Sequence, residues 1–393
     1  MRTPVVIALA AGAAVLGGLA GAVLAGTGGL GDTTTVLAQT SAPATETSAS
    51  AHPLPGNGFD PALLYARRAP GVVTIYADLG DDGQSQGSGF VVDDRGTILT
   101  NAHVVTNVAL SPSVRGAKAV YVEFRDGERV PATIVGWDLF NDIGVVRVKP
   151  ADHAVQPVPL GDSAAVRVGE PVAAIGSPFG NQSSLAVGVV SATGRSIDSL
   201  TSSRRSAIAD AIQIDAPINR GNSGGPLFDA RGRVIGINAQ INSDSGTAEG
   251  VGFAIPINAA RRALDELERT GRVAYAYIGI RTQDVTPGIA RRFGIDAQRG
   301  ALVATVEPGT PAAKAGIQGG SQTESYNGLG LTFGGDVIVS IAGFPIQSAD
   351  DVSRIVTERL RPGQTVEVVL LRDGTDRRAV RVTLTERPPA SAG

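Results

Sequence analysis

The sequence predicts a mainly β protein, two antiparallel β-barrels followed by a smaller α+β module. Three observations carry this expectation. From about Phe59 to Pro256, short apolar runs rich in β-branched residues recur at a spacing of roughly a dozen residues, with no helical segments between them. Gly, Asp, Asn and Pro separate the runs, and the 51 glycines suit strands joined by tight turns. Beyond about Val273 the pattern changes to strand-like runs interleaved with capped helix starts.

The N-terminus stands apart from this fold. No residue from Thr3 to Gly31 is charged, and the run VVIALAAGAAVLGGLAGAVLAG is long enough to span a bilayer as a helix. Arg2 precedes it and no Lys or Arg follows until Arg67, so the positive-inside bias places the bulk of the chain outside the cytoplasm. Residues 1–31 are therefore expected to be a single-pass membrane anchor. A cleaved signal peptide is the alternative, with small-residue sites at Ala20-Gly21-Ala22 or Val36-Leu37-Ala38, and would make the protein secreted or periplasmic. Residues 32–58 are Ser/Thr/Ala/Pro-rich and read as a flexible spacer, with His52 idle inside it.

Residues 59–272 form the first folded unit. Its strand-like runs are GVVTIYAD, SGFVVD, GTILT, AVYVEF, ATIVGW, IGVVRV, PVAAIG, LAVGVVSA, RVIGIN and VGFAIP. A helix closes it: in INAARRALDELERTG, Ala260, Leu264 and Leu267 share one face and Gly271 supplies the stop. Residues 273–388 form the second unit. Thr286-Pro287 and Thr310-Pro311 each offer an N-cap followed by proline, with Gly294 and Gly316 as stops, and Ser348 with Asp351 reads as a capping box. The segment QGGSQTESYNGLGLTFGG, 318–335, shows no periodicity and is expected to be an exposed loop.

Composition narrows the chemistry. An apolar fraction of 42% with 18% charged residues describes a globular chain. A formal net charge of −3 gives no footprint for nucleic acid. The absence of cysteine excludes disulfides, thiolate zinc sites and cysteine nucleophiles. His52, His103 and His153 lie too far apart for metal-ligand spacing, so neither metal nor cofactor is expected.

What remains is the stretch INRGNSGGPLF, 218–228, which holds Ser223 among glycines. A serine hydroxyl is a poor nucleophile unless a base takes its proton and a third group holds that base in one tautomer. His103, in GTILTNAHVV, follows a strand-like run where the chain turns into a short helix, and Asp142, in LFNDIGVVRV, directly precedes another strand. Asp138 is the competing carboxylate, and His153 in its polar stretch is expected to be exposed. The order His, Asp, Ser is that of chymotrypsin-like double β-barrels, with the midpoint near Ala164 separating Asp142 from Ser223. The glycines let the amides of Gly221 and Ser223 point together at a developing oxyanion.

These motifs resemble the HtrA (Deg) family of trypsin-like serine proteases with one C-terminal PDZ domain. GSGFVVDDRGTILTNAHVV, NDIGVVRV, QIDAPINRGNSGGPLFDARGRVIGIN and VGFAIPI carry the resemblance, which covers about residues 60–388. It implies that Asp142, before the strand, orients His103. It also implies a cell-envelope endopeptidase acting on unfolded polypeptides, commonly a trimer, whose PDZ domain binds C-terminal peptides. The carboxylate-capturing loop is then Tyr277, Ile278, Gly279 and Ile280, and the mobile loops are 177–182 and 194–210. On the same analogy Pro217, Ile218, Asn238 and Ala239 line the primary substrate pocket. None carries a charge to pair Lys or Arg, so cleavage after small aliphatic residues such as Val or Ala is expected. Gly144 stands where the family more often has alanine, a departure expected to be minor. A non-catalytic peptide-binding chaperone or scaffold is the alternative function, and the complete set His103, Asp142 and Ser223 argues against it. An esterase would usually show G-x-S-x-G and the order Ser, Asp, His.

Overall fold

The computed structural model describes residues 58–111, 113–177, 184–198, 207–219, 221–239 and 251–388. The apolar segment, the spacer as far as residue 57 with His52, and the expected mobile loop 177–182 beyond Ser177 fall outside them. Among the described residues no helix is long and apolar enough to cross a membrane.

Helix α1 (Pro61–Arg68), capped by the Asp60 side chain on the amide of Leu63, leads into the first barrel. Its strands are β1 (Val72–Gly80), β2 (Gly83–Val91), β3 (Thr97–Thr100), β4 (Ala119–Glu123), β5 (Arg129–Asp138) and β6 (Ile143–Arg147), with one-turn helix α2 (Ala102–Val105) after β3. They close in the order β1-β2-β3-β6-β5-β4. The second barrel comprises β7 (Pro171–Gly176), β8 (Ser184–Asp198), β9 (Ala207–Ile214), β10 (Pro226–Asp229), β11 (Val234–Ala239) and β12 (Gly252–Pro256). It closes in the order β10-β11-β12-β9-β8-β7, and Ala164 falls between the barrels as expected. Ten of these twelve strands coincide with apolar runs in the sequence. The other two, β9 (AIADAIQI) and β10 (PLFD), were hidden, one by its small residues and one by its brevity. Both ends of the expected mobile loop 194–210 are strand, belonging to β8 and β9; its middle, 199–206, is outside the described residues.

Helix α3 (Ile257–Thr270) ends at Gly271, which adopts φ 73°, and buries Ile257, Ala260, Ala263 and Leu267. It packs on both barrels: the Leu267 side chain comes so near Gly136 of β5 that a Cβ there would lie 2.8 Å away. Glu268 on its outer face binds Arg95 and Arg147 of the first barrel. Five residues later the second module begins.

That module contains β13 (Ala276–Tyr277), β14 (Ile280–Val285), α4 (Pro287–Phe293), β15 (Gly300–Val306), α5 (Pro311–Lys314), β16 (Gln322–Tyr326), β17 (Leu329–Phe333), β18 (Val337–Ile341), β19 (Phe344–Pro345), α6 (Ala349–Arg354), β20 (Thr365–Arg372), β21 (Asp376–Thr383) and β22 (Thr385–Glu386). Its main sheet runs β14-β15-β18-β20-β21, so β14 is an edge strand. Thr286 caps α4 as expected, and Ser348 with Asp351 makes the capping box of α6, which continues into a wider π turn, Ile355–Arg359. The Thr310 hydroxyl departs from expectation: it donates to the Glu307 carbonyl (2.6 Å) instead of capping α5.

The segment 318–335 is not a loop but a hairpin, β16–β17. Asn327 and Gly328 form its two-residue turn, both at positive φ (50° and 80°), the geometry that matches the strand twist. Asn-Gly is itself a hairpin signal, masked in the sequence by the polar Ser/Thr/Gly content around it. The hairpin is fixed to α4 by Phe293, whose ring stacks on Phe333 at 3.7 Å. The Gln283 side chain of β14 donates to the Gly330 carbonyl and accepts from the Thr332 amide.

Between the second barrel and this module lies a cavity of about 360 Å³, lined among others by Asp210, Arg262, Tyr275, Arg354 and Glu358.

Candidate active site

His103 is the second residue of α2, three residues past the end of β3. This junction is fixed from below by the residue that will orient the ring. The Asp142 carbonyl accepts from the Ala102 amide (3.1 Å) and from Asn101 Nδ2 (2.9 Å), and Asp142 Oδ1 accepts from the His103 amide (3.0 Å). Asp142 Oδ2 then meets His103 Nδ1 at 2.7 Å. Asp142 is 1% exposed and adopts φ 53°, a left-handed conformation that aspartate tolerates better than most residues. Gly144 belongs to the same packing: a Cβ there would lie 2.7 Å from the Asn101 carbonyl oxygen, so alanine would push α2 off β6. The departure from the family pattern is therefore structural.

An ionised carboxylate only accepts, so Nδ1 carries the proton and Nε2 presents its lone pair. Burial disfavours the imidazolium, but the charge and hydrogen bond of Asp142 outweigh it and hold the His103 pKa above the usual histidine value. Asp138 takes no part in this pair. Its carboxylate accepts from the Tyr275 hydroxyl and the Phe140 amide (2.9 Å), and burial pushes its pKa up to about 6 against those bonds. His153 is not exposed as expected but half-buried, because its ring stacks on Phe124 at 3.8 Å while Nε2 meets Asp126.

Ser223 lies in the loop from Asn219 to Gly225 of the second barrel and is 4% exposed. Its Oγ finds no hydrogen-bond partner among the described residues, so it is not bonded to His103 in this structure. The two are nevertheless neighbours. A Cβ built on Gly87 of β2 would touch Val104 of the histidine helix (2.5 Å) and the Ser223 carbonyl oxygen (3.1 Å) together. One built on Gly224 would lie 3.2 Å from the Asn101 amide.

The loop's backbone groups are nearly all used. The Gly221 carbonyl accepts from Ser88 Oγ and the Ser223 carbonyl from the Ser88 amide (2.8 Å). The Asn222 amide donates to the Asn219 carbonyl, the Gly224 amide to the Asn238 carbonyl and the Gly225 amide to the Asn222 carbonyl. Two amides remain, those of Gly221 and Ser223, for which no backbone acceptor exists among the described residues. Gly221 adopts φ 99°, which only glycine reaches without strain.

Of the expected pocket residues, Pro217 is exposed. Ile218 packs into the second barrel's core against Gly252, and Asn238 and Ala239 are buried in β11, where the Asn238 backbone pairs with Gly224 and Gly225. In the second module, Tyr277 ends β13, Gly279 turns at φ 81°, and Ile280 opens edge strand β14. The Ile278 and Gly279 carbonyls accept from the Ala312 and Glu307 amides, while their own amides have no backbone acceptor among the described residues. Sequence inspection missed Ser88, Thr100, Asn101 and Ser177, the buried polar residues that hold the site; the small-residue triplet Gly87-Ser88-Gly89 was the one signal available.

Residues 87–237 match the model of a trypsin-like peptidase domain and residues 276–384 that of a PDZ domain. A probable periplasmic serine endoprotease DegP-like from Halomonas elongata is 38% identical over 80% of this chain and 59% of its own length. Protease Do-like 1, chloroplastic, from Arabidopsis thaliana is 38% identical over 78% of this chain and 65% of its own. The chain thus spans about three-fifths of the length of these relatives. Among solved structures, the HtrA-type protease AlgW with tripeptide superposes with a TM-score of 0.68 at 33% identity, covering 84% of this chain and 98% of that one. The serine endoprotease from Yersinia pestis gives 0.58 at 31% identity over 84% and 98%. With two closed barrels, a PDZ module and these relatives, the chain belongs to the HtrA family of trypsin-like serine proteases.

Proposed function

We propose that this protein is a serine endopeptidase of the cell envelope that degrades unfolded or damaged exported polypeptides through an acyl-enzyme. Ser223 is the nucleophile, His103 its base and then the acid for the leaving amine, and Asp142 the group that fixes the tautomer. The amides of Gly221 and Ser223 stabilise the oxyanion. The observation that carries this reading is the pairing of His103 Nδ1 with buried Asp142, beside a serine hydroxyl and two loop amides that have no partner among the described residues. The bond from Ser223 to His103 forms when substrate binds, since such contacts are often open in free enzymes and tighten in the complex. The periplasmic naming of the bacterial relatives supports an extracytoplasmic location.

The module 273–388 takes C-terminal peptides. The amides of Ile278 and Gly279, within the loop Tyr277–Ile280, receive the terminal carboxylate, and the peptide pairs along the edge of β14. Among Pro217, Ile218, Asn238 and Ala239 no side chain would pair a basic residue, so the pocket favours Val or Ala.

The test is proteolysis of an unfolded model substrate by the parent and by Ser223→Ala, with and without C-terminal peptides, alongside labelling by a fluorophosphonate probe. Labelling and cleavage that both depend on Ser223 are expected. Cleavage that persists in Ser223→Ala, or absence of labelling in the parent, overturns the reading.

A further inference from the structure

We infer that Ser88, through its hydroxyl, is the positioning residue that keeps the oxyanion amides of the nucleophile loop aimed at the substrate; the inference rests on the function proposed above. Ser88 is fully buried in β2 of the first barrel, yet its hydrogen bonds go to three other segments. Its amide donates to the Ser223 carbonyl (2.8 Å) and its Oγ donates to the Gly221 carbonyl (2.5 Å). The same Oγ accepts from the Ser177 amide (2.8 Å), directly after β7. Its carbonyl accepts from Thr100 Oγ1 (2.6 Å), three residues before His103. One residue of the first barrel thus grips both ends of the Gly221–Ser223 turn of the second.

The grip matters because of where it acts. A peptide unit is planar, so holding a carbonyl fixes the direction of the amide across the same bond. The unit joining Gly221 to Asn222 is held at its carbonyl by Ser88 Oγ and at its amide by the Asn219 carbonyl. The unit joining Ser223 to Gly224 is held by the Ser88 amide and the Asn238 carbonyl. Between them, the amide of Ser223 is aimed by the bond from the Gly225 amide to the Asn222 carbonyl. Gly221 is the soft point of this chain of planes. Without a Cβ it can rotate at little cost, and at φ 99° it occupies a conformation it can readily leave. The Ser88 hydroxyl supplies the restraint that a side chain on residue 221 would otherwise give.

The flanking glycines make the grip possible. A Cβ on Gly87 would strike Val104, and one on Gly89 would come within 2.8 Å of Ile75 and Ile98 side-chain carbons. Gly87 also faces the Ser223 carbonyl oxygen (3.1 Å), so a bare position there lets β2 approach the second barrel, while Gly89 lets it pack on β1 and β3 of its own barrel. On the other side, a Cβ on Gly224 would lie 2.2 Å from the Ser88 carbonyl oxygen.

The experiment compares the full-length parent with Ser88→Ala on a cleavable peptide, measuring kcat, KM, the affinity of a peptide boronate, and the pH profile of kcat/KM. A boronate forms a tetrahedral adduct on Ser223 that places an oxygen at the oxyanion position, so it reads the amides directly. We expect kcat to fall about 10²-fold, the scale of a lost oxyanion donor. Boronate affinity should fall by a similar factor, KM should stay within threefold, and the lower limb of the pH profile, set by His103, should not move. Boronate affinity and kcat within threefold of the parent would overturn the inference. So would a parallel loss of substrate and boronate binding, or a displaced pH limb, since these mark general distortion or an effect on His103. If Ser88→Ala does not fold, Thr100→Val, which removes the bond to the Ser88 carbonyl, should lower kcat and boronate affinity about tenfold with KM kept, and kcat and boronate affinity within threefold of the parent there refute the proposal. A parent that is itself unreactive toward fluorophosphonate refutes the enzymatic reading instead, so the two failures are distinguishable.

Discussion

Replacing Glu358 with Gln should remove most of a pH dependence of stability that the structure builds into the junction between barrel and PDZ domain. Glu358 lies in the π turn after α6 and lines the cavity facing β9. Burial raises its pKa first and the Asp210 carboxylate adds to it, against Arg354, Arg359 and Arg262, so the value moves from 4.5 to about 7. Asp210, which bears on it from β9 at φ 60°, is raised for the same reason of burial. The unfolded chain keeps the ordinary value. The folded state therefore prefers the protonated acid: its advantage is fully present below about pH 4.5 and is lost as pH rises through 7. A difference of about 2.5 pK units sets a ceiling of about 3 kcal/mol, of which on the order of 2 kcal/mol falls between pH 5 and 8. Urea unfolding of the parent and Glu358→Gln at both pH values measures it. The variant should be the more stable protein at pH 8, and its loss between pH 5 and 8 should be smaller by that amount. Curves for the two proteins that run parallel in pH would refute the reasoning.

Other substitutions probe single features. Asp142→Asn should lower kcat about 10⁴-fold in a peptide-cleavage assay, because an amide facing Nδ1 favours the wrong tautomer; an unchanged rate would remove Asp142 from the mechanism. Arg372→Ala should destabilise the PDZ domain by about 3–5 kcal/mol in thermal or urea unfolding, since it strands the buried Asp336 carboxylate that Arg372 binds with both Nε and Nη2 at 2.9 Å. Gly328→Val should cost about 1 kcal/mol or more by straining the positive-φ turn, and should leave cleavage of a short peptide unchanged. Profiling against a peptide library should give cleavage after Val or Ala; a preference for Arg or Lys would contradict the proposed pocket of Pro217, Ile218, Asn238 and Ala239.

How much of this was legible beforehand follows from the range of each interaction. The barrels, α3 and the helix caps follow local rules, and the alternating or β-branched runs and the Thr-Pro and Ser-x-x-Asp signals sit where the elements are. The hairpin β16–β17 shows the limit of composition as evidence. A polar, glycine-rich stretch looked irregular, while its Asn327-Gly328 turn and the aromatic contacts from Phe293 decide its shape. At the site, residue type and order picked out His103, Asp142 and Ser223, and the structure joins the first two directly. What the sequence could not reveal were partners far apart along the chain. Ser88 meets the nucleophile loop across more than a hundred positions, and Asp138, a plausible rival for His103, is occupied by Tyr275 from beyond α3. His153 looked solvated because nothing nearby in sequence announces the ring of Phe124.

The short passage from α3 to β13 has a consequence for anyone who would exchange the PDZ domain for another. Tyr275, which lies in it, reaches back into the first barrel to meet Asp138 and receive a hydrogen bond from Asn141 Nδ2 (2.7 Å), the immediate neighbour of Asp142. A graft cut at Gly271 would take from two buried polar side chains, Asp138 and Asn141, the hydroxyl they share beside the carboxylate that steers the imidazole. The module is not a detachable cassette, and any transplant must carry Tyr275 with the protease half.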